Sequence, residues 1–262
     1  MQNLTLNLNF IKQKDILVAS ATRQGVSHKV SGTPCQDSIL LKRDEEYTFL
    51  GLADGAGSAK HSDIGSKLIL EFLSLHMYIS FGYYQKNIEI SSQNLLGQIH
   101  LALVAIAEMK NVDIHDLSST LQLIAIYRDD FIIVHIGDGV IGILDENEKL
   151  SVLSHPQNGE YSHLTYFTTT MDEKNVRIYR GEMQNLKGCI LMSDGVEESL
   201  YDYQEKTLAP ISKKIIQWLD YGSEEEVSSA LNENLKNIFA VKSSDDLSIA
   251  LLRHHAKETT NY

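Results

Sequence analysis

The sequence predicts an α+β fold of antiparallel sheets covered by helices, and three observations carry that prediction. Strand-like apolar runs are numerous and several are separated only by short polar turns, as hairpins require. Helical periodicity is bunched into two places, after Ala53 and near the end of the chain, rather than alternating with the strands. A regular strand–helix–strand alternation, the signature of a doubly wound parallel sheet, is missing.

The elements follow in order. Leu4, Leu6, Leu8 and Phe10 alternate as on one face of a strand, and further strand runs are Ile16–Ala21, Ser38–Leu41 and Thr48–Ala53. Leu121–Tyr127 and Phe131–Ile136 flank Arg128-Asp129-Asp130 as one hairpin. Val140–Leu144 and Lys149–Leu153 flank Asp145-Glu146-Asn147-Glu148 as another. Val176–Tyr179, Cys189–Met192 and Leu247–Leu252 complete the strands. Ile64, Leu68, Phe72 and Leu75 form a helical stripe behind Ser62, which is placed to cap it. Three more stripes are Leu95, Ile99, Leu103 and Ile106; Ile211, Ile215 and Leu219 after Pro210; and Val227, Leu231, Leu235 and Ile238. Residues 155–187 are polar and weakly periodic, with three consecutive threonines, and read as a long irregular segment that is either functional or mobile.

Composition narrows the function. The chain has 262 residues, 43% of them apolar, which supports one folded domain over residues 1–262 and excludes intrinsic disorder. With 35 acidic against 23 basic residues the net charge is −12, and no basic cluster offers a footprint for nucleic acid. The longest apolar run, Leu101–Ala107, is far short of a membrane span. Two cysteines and the lack of a leader-like apolar stretch fit a cytoplasmic protein. Cys35 and Cys189 have no local signature of a nucleophile and read as small buried residues. Gly55–Lys60, GAGSAK, fails the spacing of a phosphate-binding loop.

One pattern recurs. An apolar strand meets an aspartate in FLGLADG (Asp54, Gly55), IIVHIGDG (Asp138) and CILMSDG (Asp194); Asp37 in TPCQDSILL and Asp245 with Asp246 in SSDDLSIALL precede strands. Each alone is an ordinary turn signal. Together they would place mutually repelling carboxylates at strand ends, which a hard divalent cation would relieve. The order G-x-x-H, C-Q-D, A-D-G-x-G-S with D-x-G, G-D-G, S-D-G and D-D-L-S, running from about Ala19 to Leu252, resembles the metal-dependent PP2C/PPM protein serine/threonine phosphatases, and H-K-V-S-G-T-P-C-Q-D resembles their bacterial branch.

That resemblance implies a four-layer αββα sandwich, two antiparallel sheets flanked by helices, and hydrolysis of phosphoserine and phosphothreonine by a metal-bridging water. It implies two Mn²⁺ or Mg²⁺ ions and a weaker third. Asp54 would bridge the two, the Gly55 carbonyl would bind one, Asp194 and Asp245 would complete the first, and Asp37 would serve the second. Asp138 and Asp194 would share the third, Asp246 would stand where the family usually has asparagine, and a flap would lie within residues 155–187. A phosphorylated protein, the target of a partner kinase, would be the substrate. The chain also departs from the pattern. Gly32 stands where many members carry a phosphate-binding arginine, Gln36 replaces a carboxylate, and Ala56 and Ala59 occupy the places of the expected histidine. His28 and Lys29 are the candidate phosphate contacts instead, and His61 is the candidate general acid. The departures keep open a partner-binding pseudophosphatase, and a non-enzymatic domain in which every Asp-Gly is a turn is the further rival.

Overall fold

The computed structural model describes residues 15–157 and 165–255. The expected strand over Leu4–Phe10 and residues 158–164 of the expected flap lie outside them. One sheet orders β1 (Ile16–Arg23), β12 (Leu247–His254), β9 (Leu186–Met192), β6 (Val140–Asp145) and β7 (Leu150–Ser154) side by side. The other orders β2 (Ser38–Arg43), β3 (Tyr47–Ala53), β4 (Leu121–Tyr127), β5 (Asp130–Ile136) and β8 (Arg177–Glu182). All pairings within both sheets are antiparallel. Helices α2 (Ser62–Lys86) and α3 (Ser91–Lys110) cover the second sheet; α4 (Asp194–Leu200), α5 (Ile211–Gln217) and α6 (Glu224–Asn237) cover the first. The protein is therefore the expected αββα sandwich.

Strand alternation builds these layers. On β4, Leu121, Leu123 and Ala125 face the helices, whereas Ile124 and Ile126 enter the core between the sheets. On β12, Leu247, Ile249 and Leu251 face helices, and Ala250 and Leu252 face the other sheet. Strands buried on both faces are nearly all apolar, which is why the sequence shows them as runs rather than alternation. At the β4–β5 hairpin Tyr127 pairs with Asp130, so the turn is Arg128-Asp129, with Arg128 at φ 56°. Helix α6 starts at a full capping box, Ser223 with Glu226.

Several expected boundaries change. The residue capping α2 is His61; Ser62 is already helical and its hydroxyl donates to the Ala59 carbonyl. The deepest stripe on α2 is Ile69, Leu73 and Met77, and Leu75 is 61% exposed. The helix is sandwiched between the sheet and α3, so two of its faces are apolar and the sequence stripe follows the shallower one. Ile211 and Ile238 are likewise exposed at helix ends. The strand expected at Val176–Tyr179 runs on to Glu182, and the threonine-rich stretch is not loose: Thr168 N–H donates to the Ser119 carbonyl and Thr169 bonds the Ser118 hydroxyl. Helix α1 (Val26–Ser31), helix α4 and the hairpin β10 (Tyr201–Asp202) and β11 (Thr207–Leu208) are additions to the sequence reading.

The two sheets are locked at one end by Gln122. From β4 its side-chain amide donates to the Met192 carbonyl on β9 (2.7 Å), and its carbonyl accepts the Met192 N–H (3.1 Å). Gln122→Leu would leave both Met192 groups buried and unpartnered, and should cost about 2–4 kcal/mol. Urea unfolding measures this; an unchanged midpoint would show that the clamp is dispensable.

Candidate metal centre

The strand registers gather the aspartates at the end that Gln122 closes. Ser38 pairs with Ala53, which brings Asp37 and Asp54 together at the edge of that sheet. Met192 pairs with Val140 and with Ile249, so Asp138, Asp194 and the Asp245-Asp246 pair all sit just beyond paired residues of the other sheet. Asp138 belongs to the turn that crosses between the sheets. Asp194 is not a turn residue as the sequence suggests, but the first residue of α4, with Ser193 as its cap. An aspartate in a first helical turn is electrostatically favoured, and its own carboxylate accepts the Gly195 N–H.

The backbone around Asp54 is fixed on both sides. Its N–H donates to the Thr120 hydroxyl, its carbonyl accepts the Thr120 N–H, and Gly55 N–H donates to the Gln36 carbonyl. A side chain on Gly55 would fall within 2.8 Å of both the Gln36 carbonyl oxygen and Ser62. Glycine is required there for close approach, and it holds the C-Q-D strand against the A-D-G turn.

The charges acting on these carboxylates are largely one another's. Burial pushes Asp37 up to about 8, with the charges of Asp246 and Asp194 adding to it. Burial raises Asp54 well above the ordinary carboxylate range, reinforced by Asp37, Asp194 and Asp138. Asp194 is lifted to about 6 by burial, then by Asp138 and, further down, Asp245. Asp138 is raised by burial, against the Thr165 hydroxyl that donates to it. Both Asp37 oxygens are buried without a hydrogen-bond partner. An all-oxygen cluster with orphaned carboxylate atoms is the donor set of a hard divalent cation, and the residues fit Mg²⁺ or Mn²⁺.

The tightest grouping is a different one. Among the described residues, His28, Asp245 and Asp246 alone bring one ligand atom each within 4.8 Å of one another. His28 Nδ1 lies 3.0 Å from Asp246 Oδ2, outside hydrogen-bond geometry, and Nε2 lies 3.9 Å from Asp245 Oδ1. Asp246 is buried and accepts the Gly25 N–H (2.7 Å) and the Gln36 N–H (2.6 Å), whereas the Asp245 side chain is 57% exposed. The adjacent aspartates thus do different work: Asp246 ties the chain together and Asp245 remains open. Lys29 is exposed on α1. Gly32 ends α1 at φ 75° with open space around it, so an arginine there would fit but would strain the backbone by about 1 kcal/mol. His61 stands half-exposed at the start of α2, its N–H donating to the Asp116 carbonyl, and among the described residues its ring has no hydrogen-bond partner. Cys35 is partly exposed, not buried as expected, and its thiol is pushed up to about 12, first by burial and then by Asp246 and Asp37. A thiol so raised is a poor nucleophile near neutral pH.

The sequence reading missed three neighbours. Gln122 carries no motif. Thr165 lies in the irregular segment, yet bonds Asp138. Glu197, one turn beyond Asp194, is buried with one oxygen unpartnered and the other accepting from Tyr203, and burial lifts it to about 8. Only its place after S-D-G could have signalled it.

Comparison with known proteins identifies the family. The family model described as Protein phosphatase 2C matches residues 24–237. The chain belongs to the protein phosphatase 2C family. Serine/threonine-protein phosphatase 3 of Escherichia coli (strain K12) is 28% identical over 159 residues, covering 58% of this chain and 62% of the relative, so the match spans less than two thirds of that relative's length. A crystal structure of a bacterial serine phosphatase superposes with a TM-score of 0.61 at 12% identity, covering 92% of this chain and 99% of that one. The catalytic domain of the serine threonine protein phosphatase PstP, in complex with 2 manganese ions, gives a TM-score of 0.57 at 19% identity, covering 91% and 97%. These likenesses share the protein phosphatase 2C sandwich.

Repulsion inside the cluster has a measurable consequence. Asp54→Asn removes the most crowded charge, so the cation-free variant should be more stable than wild type by about 1 kcal/mol or more, since one pKa unit corresponds to 1.36 kcal/mol. That corresponds to a melting rise of roughly 2–4 °C. Calorimetry in EDTA checks it, and a lower Tm would show that Asp54 is paired with something other than carboxylates.

Proposed function

We propose that this chain is a Mn²⁺- or Mg²⁺-dependent phosphatase acting on phosphoserine and phosphothreonine in proteins. The observation that carries the reading is the cluster of Asp37, Asp54, Asp138, Asp194 and Asp245, buried or half-buried at one end of the sandwich apart from the more open Asp245. In this reading Asp37, Asp54, the Gly55 carbonyl, Asp194 and Asp245 would hold two cations, and Asp138 with Asp194 would hold a weaker third. Bound there, divalent cations would supply Lewis acidity and a water made acidic enough to act near neutral pH.

The chain's own groups do the rest. Asp246 fixes Gly25 and Gln36, and with them the strand that presents Asp37. His28 and Lys29, on α1 beside Asp245, meet the phosphoryl oxygens, and the half-exposed His61 protonates the leaving oxygen. Thr165 and Tyr166, within the expected flap, stand beside the Gly137-Asp138 turn. The substrate is a phosphorylated protein, the target of a partner serine/threonine kinase, in the cytoplasm. No helix among the described residues is long and apolar enough to cross a membrane. The pseudophosphatase alternative is not favoured, because both the family match and the curated relative point to a phosphatase.

Hydrolysis of p-nitrophenyl phosphate should need added Mn²⁺ or Mg²⁺ and stop in excess EDTA; full turnover in EDTA would overturn the metal reading. Asp54→Ala should be the most damaging substitution, with Asp194→Ala next.

The adjacent aspartates separate two effects. Asp245→Ala should lower kcat/KM by about 100-fold or more while melting near the wild-type temperature, as removal of an open ligand would. Asp246→Ala orphans two backbone N–H groups and should cost about 2–4 kcal/mol of stability. Turnover and melting, measured on both variants, check the assignment; a stable Asp246→Ala with the larger kinetic loss would reverse it.

A further inference from the structure

Arg177, the first residue of β8, is a cation that the reading above leaves without a task. Its side chain is half-buried, and Nε is buried with no hydrogen-bond partner. No carboxylate pairs with it among the described residues, and burial pulls its pKa down. A guanidinium in such a place costs energy, so packing does not account for it. Both terminal nitrogens are nevertheless committed. Nη2 donates to the Gly137 carbonyl at 2.9 Å, and Nη1 donates to the His155 carbonyl. The Gly137 carbonyl also accepts the Gln157 N–H, at 3.1 Å.

These bonds fix the peptide plane in front of Asp138. A peptide group is rigid, so the Gly137 carbonyl shares one plane with the Asp138 nitrogen and Cα. Gly137 itself stands at φ 115°, where glycine has no preference that would hold the plane in place. Arg177 supplies the hold from a regular strand, for it pairs with His135 across β5 and β8, just before the Gly137-Asp138 turn. Thr165 grips the other end, its hydroxyl donating to the Asp138 carboxylate. We propose that Arg177 is a positioning residue that aims the Asp138 carboxylate at a divalent cation by holding the Gly137 carbonyl. The inference rests on the metal reading above and goes beyond it by assigning a role to a residue outside the cation's own ligands.

The test is calorimetric titration of Mn²⁺ into the whole, cation-free chain, which needs no turnover. Wild type should show a weak binding phase that Asp138→Asn abolishes. Arg177→Met keeps the stem and removes every donor. It should weaken that phase about tenfold, the usual scale for a group that orients a ligand from behind. The tighter phases should stay within about twofold. Added to Asp138→Asn, Arg177→Met should change Mn²⁺ binding no further, because the two act through one carboxylate. Equal weakening of all phases, or a further loss in the double variant, would show a general brace of the fold and overturn the inference.

Arg177→Lys carries the test if Arg177→Met does not melt cooperatively. It keeps the charge but replaces a two-pronged fork with one ammonium, so it should weaken the same phase about threefold. A weak phase as tight as that of wild type would overturn the inference. Wild type that binds no Mn²⁺ would strike the metal reading, and this inference with it. Wild type with an Asp138-dependent phase that neither Arg177 variant moves would strike this inference alone.

Discussion

Like charges held close together in a poorly hydrated place are the constraint on which the rest of this molecule turns. Burial is the first cause that raises the proton affinity of Asp37, Asp54, Asp138 and Asp194, and in each a neighbouring aspartate's charge adds to it. A fold does not hold such groups together unless the surrounding backbone is over-determined. Here it is. Thr120 bonds both backbone groups of Asp54, Gln36 reaches Gly55, Asp246 binds Gly25 and Gln36, and Gln122 bolts the strand that ends at Met192. These polar contacts all lie at one end of a sandwich whose middle is apolar.

The architecture explains why that end can be so polar. Three hydrophobic layers, one between the sheets and one under each helical layer, stabilise the fold along the strands. The strand ends are released from packing duty and can carry charge. Antiparallel sheets also return the chain to the same end every second connection, so residues far apart in sequence, such as Asp37 and Asp245, arrive at one place.

How much of this could be read from the residues depends on how local the signal is. The paired hairpins were legible because their turns are short and polar between apolar runs, and β4 and β5 differ from expectation by only a residue. The aspartates were legible as a set because each follows or precedes a strand. That Asp194 also begins a helix was not legible, because Asp-Gly is identical in composition whether a turn or a helix start follows. Helix α1 escaped notice because nothing in it is buried, and burial is what produces periodicity. The α2 stripe was misplaced because that helix has two apolar sides. Gln122 was invisible for a further reason: its importance comes from Met192, seventy residues along the chain. No short window along the chain contains both residues.

The division of the aspartates between the layers has its own consequence. Asp37 and Asp54 come from one sheet, Asp194 and Asp245 from the other, and Asp138 from the crossing between them. An ion held by all of them would touch both sheets at once. A partly unfolded chain that keeps only one sheet would offer half a set of ligands and gain almost nothing from the ion. Cation binding would therefore deepen the fully assembled state alone, sharpen its all-or-none melting, and slow the parting of the two sheets that must precede unfolding.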